Sequence, residues 1–204
     1  MLNETRARRL TALQWLLFLG GIACLGWCAL VVIGAWRYQS RTAQPHAITT
    51  LPADDVHTTP AAPTALPVGE PIGRIEVPRL HLSAAVANGD DDGTLRVAIG
   101  HLPDTPFPWE EGNSALAGHR DTFFRELRHI RVNDDMLVTT PYGDFTYHVT
   151  KTLIVTPEDL SVLAPTSEPT LTLVTCYPFT YVGHAPKRFI VEAVRARTTP
   201  AATN

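Results

Sequence analysis

The sequence predicts an all-β domain, closed or nearly closed into a barrel with short helical connections, carried behind one transmembrane helix. Three observations predict it. From about residue 69 onward, short stretches with a two-residue apolar period alternate with Pro and Gly punctuation. Near the N-terminus, Trp15 to Trp36 is an uncharged run of 22 residues. Between these lies a Pro-, Ala- and Thr-rich segment with no sustained period.

The apolar run is long enough to cross a bilayer as a helix, which needs about 20 residues. It exceeds the usual signal-peptide core of roughly 7 to 15 residues, and no small-x-small cleavage site precedes Arg37, so retention is expected. Trp15 and Trp36 bracket it as interfacial aromatics. Arg6, Arg8 and Arg9 precede it, which places residues 1–14 in the cytoplasm and everything after the helix outside, in a single-pass arrangement at the cell membrane. Cys24 and Cys28, spaced i,i+4 on this helix, read as apolar packing. The expected organisation is therefore a cytoplasmic N-terminus at 1–14, a transmembrane helix at 15–36, a Pro-rich tether at 37–68, a folded domain at 69–195 and a flexible tail at 196–204.

Within the folded domain, "IGRIEV" places Gly73, Ile75 and Val77 on one face, and Pro78, which has no N–H to give a ladder, ends that strand. Further strands are expected at Leu82–Ala87, Ser114–Ala117, Met136–Thr140, Phe145–Val155, Thr170–Cys176 and Arg188–Val194, with a turn at Pro141, Gly143 and Asp144. Helical turns are expected at Gly93–Ile99, Thr122–Leu127 and Pro157–Leu163, the last opened by a Thr156 cap. The "DDDG" at 90–93 lacks the alternating ligands of a calcium loop and reads as a turn or helix cap.

Charge narrows the function. Residues 69–195 hold eleven Lys and Arg against seventeen Asp and Glu, a net −6, which disfavours a nucleic-acid surface. No phosphate loop, HExxH or GxSxG pattern is present, and neither a cofactor nor a metal site is expected. The domain has a single cysteine, Cys176, so no disulfide can form within it.

Cys176 ends the strand "TLTLVTC", in which Leu171, Leu173 and Thr175 face one way and Thr172, Val174 and Cys176 the other. Taken alone it reads as packing, His119 in "LAGHRDTFF" as a structural or exposed histidine, and Arg188 as a surface ion pair. Taken together they supply a thiol nucleophile, an imidazole to protonate a departing amine and a fixed positive charge for an oxyanion. Arg188 follows Cys176 by twelve residues across a turn-rich connection, the separation of two adjacent strands. Weaker candidates for supporting or substrate-contacting roles are His101, Asp121 and Thr175.

The motifs "TLVTC" at 172–176 and "LAGHRDTFF" at 116–124, followed by Arg188 in the next strand, resemble the sortase family, specifically its class D-like members. The similarity extends over almost all of residues 69–195. The resemblance implies an eight-stranded sortase β-barrel and a cysteine transpeptidase, with His119, Cys176 and Arg188 in the family's catalytic roles and no metal. It also implies an exported protein with an LPxTG-like sorting signal as substrate, a thioacyl intermediate and an amine acceptor. Two alternatives stay open: a membrane-tethered, noncatalytic peptide-binding module, and a cysteine endopeptidase that releases the intermediate to water.

Overall fold

The computed structural model describes residues 2–41, 63, 65–181 and 183–196. Most of the expected tether, residues 42–62 and 64, and the tail beyond residue 196 lie outside the described residues. The chain divides into two units, 1–37 and 38–204.

The first unit is helical. Helix α1 spans Leu2–Arg41, longer than the apolar run that predicts it. Within its segment Leu13–Ser40, the most apolar stretch of 18 residues has a mean hydropathy of 2.5, and none of that stretch is buried within the protein. Trp15, Leu16, Leu25 and Trp27 are all at least 60% exposed, so this surface is suited to an apolar surrounding.

The second unit starts at Tyr38. Tyr38 and Gln39, assigned to the tether by the sequence reading, are tied to the folded domain. The Tyr38 hydroxyl donates to the Gly69 carbonyl (3.1 Å), and the Gln39 amide accepts from Ala85 N–H and donates to the Val97 carbonyl (both 2.8 Å).

Eight strands close into a barrel: β1 (Pro71–Val77), β2 (Leu82–Asn88), β3 (Ile99–His101), β4 (Asn113–Ala117), β5 (Asp135–Thr140), β6 (Gly143–Val155), β7 (Thr170–Tyr177) and β8 (Lys187–Arg195). Around the barrel the order is β1-β2-β3-β4-β7-β8-β6-β5. Closure leaves no unpaired sheet edge. Two neighbours are parallel, β2 with β3 and β4 with β7; the others are antiparallel. β6 has 13 residues, and its first half pairs with β5 while its second half pairs with β8.

Inward-facing side chains follow the two-residue period. Ile75 and Val77 from β1, Leu116 from β4, Met136 and Val138 from β5, Tyr147 and Val149 from β6, and Leu171 and Leu173 from β7 are all buried in one core. Each such aliphatic side chain contributes roughly 1.5–3 kcal/mol by leaving water.

Short helices fill the returns, with boundaries shifted from expectation. Helix α2 (Asp92–Val97) stops before Ile99, which enters β3. Its cap is Asp91, whose carboxylate accepts from Gly93 and Thr94 N–H and from the Thr94 hydroxyl; these bonds hold the carboxyl below the usual range. The connection from β6 to β7 holds a 3-10 turn, Leu160–Leu163, capped by Asp159 rather than Thr156. A second 3-10 turn, Arg125–His129, follows a run of turns from Arg120.

Candidate active site

Two strand ends and one loop build a cleft at one rim of the barrel. In the antiparallel β7–β8 pair, Cys176 lies directly opposite Arg188. Opposed residues of such a pair share a face, with Cβ atoms about 4.5–5.5 Å apart. The inward alternates of β7, Leu171, Leu173 and Thr175, are buried, so Val174 and Cys176 are turned outward and only partly covered.

β4 brings the histidine. It runs parallel to β7 with Ala117 in register with Val174, so the chain leaving β4 emerges beside the end of β7 that carries Cys176. Two hydrogen bonds fix the exit: Gly118 N–H donates to the Val174 carbonyl (3.1 Å), and the Thr175 hydroxyl donates to the Gly118 carbonyl (2.7 Å). Glycine is required at 118 because a Cβ there would stand 2.7 Å from the Phe124 ring, which is fully buried. Phe124 N–H in turn donates to the His119 carbonyl (3.1 Å), pinning the backbone on the other side. His119 itself is exposed.

The resulting cleft, about 280 Å³, is lined by His119, Cys176 and Arg188 together with Thr175, Val174, Ala117, Gly118, Leu95 and Asp90. Arg188 is half-buried, and its Nη1 donates to the Ala185 (3.3 Å) and Lys187 (3.1 Å) carbonyls, which orient the guanidinium. The three candidate residues thus share one cleft. Such a set can generate a thiolate, protonate a departing amine and neutralise an oxyanion.

The weaker candidates fall elsewhere or act indirectly. Thr175 is 2% exposed, with its hydroxyl engaged by Gly118, so it holds the histidine segment. His101 is fully buried, stacked on Phe107 at 4.5 Å between centroids, with its ring nitrogens near Asn88 Oδ1 (3.3 Å) and the Pro106 carbonyl (3.0 Å). Burial pushes its pKa down, favouring the neutral ring. It is a packing residue of the β3 end. Asp121 is exposed in the turn after His119 and does not line the cleft. Among the described residues no three His, Cys, Asp or Glu side chains converge as a metal site.

Sequence reasoning missed the second half of the site. A groove of about 280 Å³ continues from the cleft, sharing Asp90, Ala117, Val174 and Arg188, and is walled by Val155, Pro157, Leu160, Val162, Leu163 and Ile190. Asn113, 3% exposed, secures this wall: its amide donates to the Val162 (3.0 Å) and Ala164 (3.1 Å) carbonyls, and its oxygen accepts from the Thr172 hydroxyl (2.7 Å). The available signal was an apolar "LSVL" in a turn that no core claims, with Leu160 68% exposed.

Comparison with known proteins agrees with this architecture. The sortase domain family matches residues 75–196. The chain is 39% identical over 128 residues to Sortase D of Bacillus subtilis, covering 62% of this chain and 65% of that protein. It is 28% identical over 144 residues to Sortase SrtE1 of Streptomyces coelicolor, covering 61% of this chain and 41% of that protein. The chain therefore spans less than two thirds of the length of either relative. Among solved structures, a sortase D5 transpeptidase of Clostridium perfringens superposes with a TM-score of 0.59 at 29% identity, over 65% of this chain and 82% of that one. Barrel, cleft and sequence similarity together place the chain in the sortase family.

Proposed function

We propose that the protein is a membrane-anchored cysteine transpeptidase that cleaves an LPxTG-like sorting signal and transfers the protein to an amine. The observation that carries this reading is the cross-strand opposition of Cys176 and Arg188 in a cleft that His119 also lines.

The chemistry follows from the side chains. The Cys176 thiolate attacks the carbonyl carbon of the signal's threonine, and the electron pair moves to oxygen. Arg188, permanently charged, donates to that oxyanion. As the tetrahedral intermediate collapses, the C–N bond breaks and His119 gives its proton to the departing glycine nitrogen, leaving a thioester on Sγ. An incoming amine then adds to the thioester and loses a proton to His119, and Sγ departs as thiolate. The apolar groove beneath Leu160–Leu163 suits the Leu-Pro end of such a signal, whose bulk is apolar and whose proline needs no donor partner.

The helix anchors this domain in a single-pass arrangement, N-terminus cytoplasmic and barrel outside, where exported substrates pass. A second reading, release of the thioester to water, is favoured by the exposure of His119, which leaves its imidazole accessible to solvent. One experiment tests both readings: the full chain is incubated with an LPxTG-containing peptide, with and without an amine acceptor. Transfer product from wild type and none from Cys176→Ala is expected; acid product alone at saturating amine identifies a hydrolase. Equal turnover by Cys176→Ala overturns both.

A further inference from the structure

In the segment 178–186, which joins Cys176's strand to Arg188's strand, the described residues 178–181 and 183–186 are gripped by two arginines. From one side, Arg120 Nη2 donates to the carbonyls of Tyr181 (2.6 Å) and Gly183 (3.1 Å), contacts spanning 61 and 63 residues of chain. From the other, Arg188 Nη1 donates to the carbonyl of Ala185 (3.3 Å). Carbonyls of three alternate residues are thus taken by two guanidiniums. One follows His119 directly in sequence, and the other is the proposed oxyanion donor.

This bridge has a consequence for geometry. His119 reaches the cleft from beyond the end of β4 and Arg188 from β8; β4 and β8 are not paired with each other, and each pairs with β7, which lies between them. Cys176 and Arg188 keep their opposition through the β7–β8 ladder. The orientation of the Arg188 guanidinium is set instead by carbonyls of Ala185 and Lys187, the first of which belongs to the connection that Arg120 clamps. We infer that Arg120 is a positioning residue: by clamping the β7–β8 connection to the His119 segment, it holds the imidazole and the Arg188 guanidinium in fixed relation across Cys176. The inference rests on the transpeptidase reading above and adds a residue outside the reacting set.

Two features separate a clamp from a solvent-facing charge. Arg120 forms no ion pair among the described residues, and its donors go to uncharged carbonyls. It is also only partly exposed, with Nη1 buried and without a hydrogen-bond partner among the described residues, so the side chain is held in place rather than ranging through water. Both bonds come from a single nitrogen, which a lysine ammonium, with three donors, can reproduce at slightly shorter reach.

The test uses the full chain in detergent with Arg120→Met, which keeps an unbranched apolar stem and no donor, and Arg120→Lys, which keeps a donor. Misplacement of catalytic groups by about 1 Å costs on the order of 100-fold. Accordingly, Arg120→Met is expected to lower kcat for the LPxTG peptide by about 10- to 100-fold, with KM changed less than about threefold. The melting temperature should stay within a few degrees, and Arg120→Lys should recover most of kcat. Hydrogen exchange, which needs no substrate, should quicken across residues 178–186 in the Met variant alone.

Wild-type kcat in Arg120→Met, a loss confined to KM, a loss that Arg120→Lys does not relieve, or unchanged exchange at 178–186 overturns the inference. If the Met variant fails to fold, Arg120→Ala, which also lacks a donor, replaces it under the same criteria. If wild type neither transfers nor hydrolyses the peptide, the transpeptidase reading falls; faster exchange at 178–186 in the variant then still supports the clamp, and equal exchange removes it.

Discussion

Replacing Thr175 by valine isolates one bond that positions the candidate histidine. The two side chains have nearly the same shape, and residue 175 is 2% exposed, so the substitution deletes the 2.7 Å hydroxyl bond to the Gly118 carbonyl with little change in packing. A buried carbonyl that loses its donor costs about 1–3 kcal/mol. At about 2–4 °C per kcal/mol for a protein of this size, the melting temperature should fall by roughly 2–12 °C. Gly118 precedes His119, so relaxation of this carbonyl displaces the imidazole, and activity should fall further than stability does. Thr175→Ser is the control: it keeps the hydroxyl and removes one methyl, worth about 0.8 kcal/mol. Thermal melts and peptide turnover of both variants check the argument. A valine variant as stable and active as wild type, or a serine variant more damaged than valine, would refute it.

Other consequences separate groove, core and site. Asn113→Ala removes two bonds that hold the groove wall; at about 0.5–1.5 kcal/mol each, peptide KM should rise roughly tenfold while kcat holds, as steady-state kinetics will show. Burial lowers the pKa of His101, so the unfolded chain takes up a proton first as pH falls. Stability should therefore decline below the ordinary imidazole value of about 6.5, and a His101→Gln variant should lose that slope in denaturant titrations. Asp134 is held below the usual carboxylate range by its hydrogen bonds from Arg79 and Arg131 N–H. Its contribution is present above about pH 4 and lost in stronger acid, a loss that Asp134→Asn should abolish in acid-unfolding curves.

Local patterns were legible in the sequence because they depend only on near neighbours. The alternation in "TLTLVTC" put Leu171, Leu173 and Thr175 on one face, and these residues are buried. Pro78 ends β1 at Val77, and a turn at Pro141 and Tyr142 separates β5 from β6, with Gly143 and Asp144, expected in that turn, already paired in β6. The twelve-residue spacing of Cys176 and Arg188 matched a pair of adjacent strands, and they are register partners.

What escaped depends on distant partners. β3 is three residues long, too short to display a period. The parallel pairing of β4 with β7, which carries His119 to Cys176 across 57 residues of sequence, leaves no trace in either strand's own pattern. Asn113 reads as an ordinary strand polar residue until its partners, 49 and 51 residues away, are seen to form the groove wall. His101, a candidate for a supporting or substrate-contacting role on sequence, is a packing residue, a distinction that only its burial makes.

The mechanism is tested most directly by acid-quenching the full chain during turnover of an LPxTG peptide without amine and mapping the adduct by mass spectrometry. The account predicts an acyl group ending in the signal's threonine on the sulfur of Cys176. That adduct should be depleted by added amine, formed far more slowly by Arg188→Ala and absent in Cys176→Ala. Turnover with no adduct at Cys176, or with the acyl group on another residue, would contradict it.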